Sequence, residues 1–421
     1  MQRTLAYALS PAPGLPLRFL LAAPWFGVLA ALALFAAGES AFASRWSAPT
    51  LGATHLLTLG YLGMAMAGSM LQLIPVVTGA ALEVSRAAAA IVWLGLALGA
   101  VLLAGALGLG AGWLLIPAAL LLACAIGVFI AVIGRALSRR AGPAAMPMVR
   151  AMRLALAGLV ITVLLGVTMA FALAGAVTAP APMLLLADLH AAWGLLGWVA
   201  MLVVGVAFQV IPMFQSSKLY PAGVTRWASW LLFGLLGACS SDSAAAGVAA
   251  ALLCAALAAF AVFTAWLLST RKRKEPDATT LYWRLSLGCL AASTLLYLMP
   301  RQPHSALLVG VVFIAGFAMG AVNGMLYKIV PFLLWYHLQS DPRATKGAVP
   351  SIRLILPDAM ARRQFSWHAA ALAALLGAVY LPAWFARPAC ALLAVSSLLL
   401  ALDLWRATAS CRKIRQQFQP S

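Results

Sequence analysis

Three of the chain's five histidines, His55, His190 and His304, each open a long apolar run, and each run closes on a tetrapeptide ending in proline. The runs are "HLLTLGYLGMAMAGSMLQLIP" from His55, "HAAWGLLGWVAMLVVGVAFQVIP" from His190 and "HSALLVGVVFIAGFAMGAVNGMLYKIVP" from His304. An imidazole inside an apolar segment is costly, so its recurrence points to a role. Three imidazoles that converged could hold a copper or zinc ion at metal–nitrogen distances near ~2.0 Å. Two that faced each other across a dry slot could hold a haem iron. Each alone could hydrogen-bond a neighbouring helix. Residue types and spacing leave all three readings open.

The far ends of the same runs are also polar. Gln72, Gln209 and Lys328 each stand three residues before the proline, in "QLIP", "QVIP" and "KIVP". At 1.5 Å per helical residue, Gln72 lies ~25 Å along the axis from His55. Proline removes a backbone donor there, and the reading of these three side chains is that they cap freed carbonyls or snorkel. Asp188, two residues before His190, could orient that ring or cap the start of its run. His337 and His368 read as contacts at the membrane interface. Asp403 reads as an i,i+3 partner of Arg406.

The elements that would position these groups are membrane helices. The chain has 421 residues, 64% hydrophobic and 9% charged, with mean hydropathy +1.00. Soluble domains carry about 25% charged residues. Apolar runs of about 20 residues predict twelve transmembrane helices. They fall near 17–38, 51–77, 87–108, 112–134, 153–176, 183–214, 225–241, 245–268, 281–299, 304–336, 367–386 and 388–406. Alternate loops and the two termini hold 24 Lys and Arg, against Arg45, Arg301 and Arg387 on the other side. That asymmetry puts both termini in the cytoplasm of a bacterial-type inner membrane. Basic runs such as "RKRK" at 271–274 suit anionic headgroups. "AFAS" at 41–44 resembles a signal-peptidase site, but the run before it is long for a signal peptide, and a retained first helix is expected.

These features exclude several functions. The net charge of +19 sits in loops and not on a continuous basic face, so nucleic acid is not an expected partner. The lipid bilayer is. No C-x-x-C pair occurs among the six cysteines, which read as packing residues. There is no nucleophile–base constellation, P-loop or dinucleotide glycine signature.

The prolines of the three tetrapeptides lie 137 and 119 residues apart, about four spans each. The chain therefore reads as one all-α transmembrane domain of three pseudo-repeated four-helix arcs, near 17–134, 153–268 and 281–406. Spans 2, 6 and 10 are then equivalent. Small-residue stripes mark them: Gly60, Gly63 and Ala67; Gly194 and Gly197; Gly316, Gly320 and Gly324. Such stripes predict close helix packing.

Twelve spans, cytoplasmic termini and three arcs resemble subunit I of the haem-copper oxidases. Span 2 is similar to that family's second helix through His55, Gln72, Pro75 and Gly79. Span 10 is similar to its tenth through His304, Gly310, Gly316 and Pro331. The NnrS family, small relatives tied to nitric oxide metabolism, is a second resemblance of this kind. The resemblance implies a b-type haem held by His55 and His304, with His190 accessory or joining both at a copper or zinc ion. It also implies respiratory-chain or electron-donor partners. The departures are specific: "HSA" replaces a His-x-His pair, and span 7, "TRWASWLLFGLLGACS", has no histidine. A binuclear dioxygen-reducing centre is therefore not expected, and electron transfer or response to a gas such as nitric oxide is. The competing reading keeps the fold for a cofactor-free transporter or a respiratory-complex assembly protein.

Overall fold

The computed structural model describes residues 11–417 except 79–81, 140–141, 242, 274, 301 and 342–348, with backbone alone at 77 and 78. Gly79, Lys274 and Arg301 of the reading above lie outside the described residues. Every regular element among the described residues is helical. The long helices are α1 (Gly14–Ala37), α2 (Ala48–Val76), α3 (Arg86–Gly108) and α4 (Leu115–Ser138). They continue with α5 (Met146–Leu173), α6 (Met183–Gln215), α7 (Ala222–Cys239) and α8 (Ala246–Ser269). The last are α9 (Ala278–Leu298), α10 (Ser305–Gln339), α11 (Asp358–Tyr380) and α12 (Pro382–Gln417).

Ten candidate spans among the described residues are long and apolar enough to cross a membrane, so the chain is an all-α membrane protein. The exceptions are α7 and α11. Arg226 interrupts the first turns of α7, and α11 opens on the polar stretch "DAMARRQ". Local signals start several helices. The Ser85 hydroxyl accepts from the Ala88 amide at 3.0 Å ahead of α3, and Asp277 caps α9 through the Thr280 amide at 2.9 Å.

Helices adjacent in the chain pack against one another, and α12 returns onto α1, so the bundle is a closed ring. Three helices stand inside it. The apolar windows of α2, α6 and α10 are 72%, 72% and 67% buried, against 33–44% for the other candidate spans. These are the helices that begin near His55, His190 and His304.

The three inner helices share a backbone irregularity. Each contains a π-helical stretch: Leu56–Gly63, Trp193–Ala200 and Val312–Ala318. Such stretches are rare and widen the helix. Each begins 19 residues before Pro75, Pro212 or Pro331 respectively. The same register carries two glycines per helix: Gly60 and Gly68, Gly197 and Gly205, Gly316 and Gly324. These glycines press on the preceding helix of the chain. Gly60 and Gly68 meet Phe26 and Phe19 of α1, Gly197 and Gly205 meet Gly158 and Ala151 of α5, and Gly316 and Gly324 meet Cys289 and Tyr282 of α9. A Cβ on Gly324 would lie 2.6 Å from that of Tyr282, too close for any side chain. Gly63, named above as a packing glycine, instead faces only its own helix at the Thr58 carbonyl. Gly68 holds the interhelical contact in its place.

Candidate functional site

His55 is the last residue before the first π-helical stretch, and its Nδ1 lies 2.8 Å from the Leu51 carbonyl one turn back. His190 lies near the start of α6 and places its Nδ1 3.0 Å from the Thr162 carbonyl of α5. A carbonyl only accepts, so each Nδ1 carries the hydrogen and donates. Each Nε2 is then left with its lone pair, and neither has a hydrogen-bond partner among the described residues. The two rings lie together, 6.2 Å between centroids and 26° between planes. Both are half-buried.

Neighbouring residues shape the pair's surroundings. A Cβ on Gly166 would stand 3.0 Å from the His190 Cε1, so glycine there lets the imidazole lie against α5. Thr162, whose carbonyl receives His190, bonds its own hydroxyl to the Gly158 carbonyl at 2.8 Å. Asp188 does neither task expected of it. Its carboxylate pairs with Arg45 at 2.8 Å, and Arg45 stacks over Trp46 at 4.3 Å. It cannot cap α6 because it lies five residues inside that helix, behind Pro182 at the N-cap. What it does is tie the start of α6 to the segment leading into α2, beside the two imidazoles.

His304 stands apart from the pair. Its ring is exposed and packs edge-on to Tyr380 of α11, 6.2 Å between centroids. It has no ring contact or hydrogen bond to His55 or His190 among the described residues. No group of three His, Cys, Asp or Glu side chains suited to a metal ion forms there either. The histidines brought together are thus those of α2 and α6, not those of α2 and α10. The reason is register: measured from the prolines, His55, His190 and His304 sit 20, 22 and 27 residues back. The first two fall on nearly the same turn, and the third lies more than a turn further out.

The polar ends of the inner helices also diverge. Lys328 forms an ion pair with Asp277 at 2.8 Å and does not cap its own helix. Asp277 also accepts from the Thr280 hydroxyl at 2.8 Å, and that hydroxyl lies 2.7 Å from the Gln215 Oε1. Burial works to raise the Asp277 carboxyl, but the Lys328 hydrogen bond and charge, with those from Thr280, hold it below the usual carboxylate range. Gln209 is half-buried and bonds to no described residue. Gln72 is 3% exposed, and neither of its amide atoms has a partner among the described residues.

A second polar cluster lies deep among α2, α9, α10, α11 and α12. The Tyr61 hydroxyl donates to Asn323, whose Nδ2 lies 3.3 Å from the His368 Nδ1, and the His368 Nε2 lies 3.0 Å from the Ala315 carbonyl. Tyr282 donates to Gln364, which donates to the Ser396 hydroxyl at 3.0 Å. His368 is 1% exposed, so it belongs to the interior and not to the interface. His337 also has a buried Nε2, without a partner. Asp403, fully buried, accepts from Tyr327 at 2.9 Å and pairs with Arg363 at 3.1 Å, not with Arg406. The available signal was Asn323 in a glycine-rich apolar face, since a polar side chain there needs partners. All six cysteines are free. The chain matches no family model and no curated protein.

Proposed function

We propose that the chain holds one prosthetic group between His55 and His190, a b-type haem in the first instance and a copper or zinc ion as the simpler occupant, and that it serves electron transfer or gas response in a bacterial-type inner membrane. The observation that carries this reading is the matched pair of imidazoles. Both Nδ1 atoms are committed to backbone carbonyls, and both Nε2 atoms are free to ligate. Hydrogen bonds from the far ring nitrogen to a carbonyl fix the tautomer and orientation of metal-ligating histidines. The ring centroids lie 6.2 Å apart, close enough for one metal atom at roughly 2 Å from each Nε2 once the stacked rings turn those atoms toward each other.

Bound there, a haem would supply one-electron chemistry, and the chain's own residues would set its environment. Leu51 and Thr162 hold the rings, the apolar helices keep water away, and the Arg45–Asp188 pair ties the two ligand-bearing segments together. If His55 and His190 both held the iron, electron transfer would be favoured over gas binding.

The wider topology belongs to the same proposal. Twelve crossings with both termini in the cytoplasm follow from the asymmetry of loop charge. The shared spacing of π-helical stretch, two glycines and proline in α2, α6 and α10 supports descent from one four-helix unit and a distant kinship with oxidase subunit I.

The test is a reduced-minus-oxidised absorption spectrum of the purified full chain, with metal analysis alongside. The expected result is a Soret and an α-band, or one equivalent of metal, lost in His55→Ala and in His190→Ala and kept in His304→Ala. A colourless, metal-free protein would return the chain to the cofactor-free reading.

A further inference from the structure

The halves of α2, α6 and α10 nearer the prolines enclose a cavity of about 100 Å³, walled also by Met152 of α5 and Trp283 of α9. Among the described residues, no charged side chain lines it. Five methionines do: Met66, Met70, Met152, Met213 and Met325. Met213, which is 47% exposed, is part of the lining. Gln72 borders it, 3% exposed, with Nε2 and Oε1 both lacking a partner. A buried amide with neither donor nor acceptor used is expensive, so this one needs an account.

We propose that this cavity binds one uncharged, flat six-membered ring bearing carbonyl or hydroxyl groups, the chemistry of a quinone or quinol headgroup, with Gln72 as its hydrogen-bonding partner. Size supports a single ring. An apolar cavity of about 150 Å³ takes up benzene, so a substituted ring requires the methionine lining, flexible and polarizable, to give way. Thioether sulfur also favours contact with aromatic rings. The absence of charged lining residues disfavours an ionic ligand. The polar side chains of the lining are few, Ser69, Gln72 and the Trp283 indole, and the rest is apolar. The amide is suited to both states of such a ring: its N–H donates to a carbonyl, and its oxygen accepts from a hydroxyl. The inference makes no use of the histidine pair.

Calorimetry on the full chain in detergent tests it, with duroquinone as the probe and durene, the same ring without oxygens, as the control. Duroquinone is expected to bind saturably, one per chain. Gln72→Leu, close to the same size, is expected to weaken binding at least about tenfold by removing the polar contact. Ala321→Phe, which fills the cavity, is expected to abolish it. Durene should bind the unaltered chain no more tightly than duroquinone binds Gln72→Leu. The proposal is overturned if duroquinone does not saturate, if Gln72→Leu binds it unchanged, or if durene binds equally well. A chain that lacks any prosthetic group leaves this test intact.

Discussion

The imidazoles of His55 and His190 stack 6.2 Å apart although 135 residues separate them in the chain. Each is anchored differently, one to its own helix and the other to α5. The pair is therefore only as well defined as the packing of α5 on α6, which rests on Gly158 against Gly197 and Ala151 against Gly205. Small residues at that seam let the backbones approach closely and fix the depth of His190.

Gly166→Val should displace His190. A Cβ there already falls 3.0 Å from its Cε1, and a branched side chain adds bulk on the same side. The expected outcome is loss of most bound haem or metal with the helical content retained. Cofactor stoichiometry read beside circular dichroism checks this; full occupancy in the variant would show that His190 does not ligate.

Stability should fall in acid through Asp277. Its carboxyl is held below the usual range by Lys328 and Thr280, so the folded state favours the ionised form. The contribution is present above the unfolded value of about 3.9 and disappears as pH falls through the lower folded value. Asp277→Asn keeps a capping side chain but removes the charge. It should lower the Tm at neutral pH and flatten the acid limb of a Tm-against-pH curve. Parallel curves for the two proteins would refute the assignment.

Asn323→Leu should destabilise the bundle by ~1–3 kcal/mol, the cost of leaving buried polar groups without partners. It strips the acceptor from the Tyr61 hydroxyl and the neighbour from the His368 Nδ1. Thermal unfolding in detergent is the measurement. An unchanged Tm would mean that the cluster is not holding α2, α10 and α11 together.

The helical membrane class was plain from the apolar runs, and the inner position of α2, α6 and α10 was foreshadowed by their proline tetrapeptides. The pairing of histidines was not. Counting from His55, His190 and His304 made the three helices look irregular, because the histidine offsets differ while the proline offsets do not. Counting from Pro75, Pro212 and Pro331 brings Gly60, Gly197 and Gly316 into line, and Gly68, Gly205 and Gly324 with them. Asp188 was misassigned because its partner, Arg45, sits in a distant loop that no local pattern joins to it. His368 and Asp403 look interfacial by position in the chain, yet α11 and α12 turn them inward against α10.

The seam between α1 and α12 also dictates an order of manufacture. Both imidazoles of the pair belong to helices that leave the ribosome well before α12. The partner that seals α1 is translated after both. A nascent chain thus carries both histidines well before its wall is complete, and for that interval the flank of α1 is open to lipid.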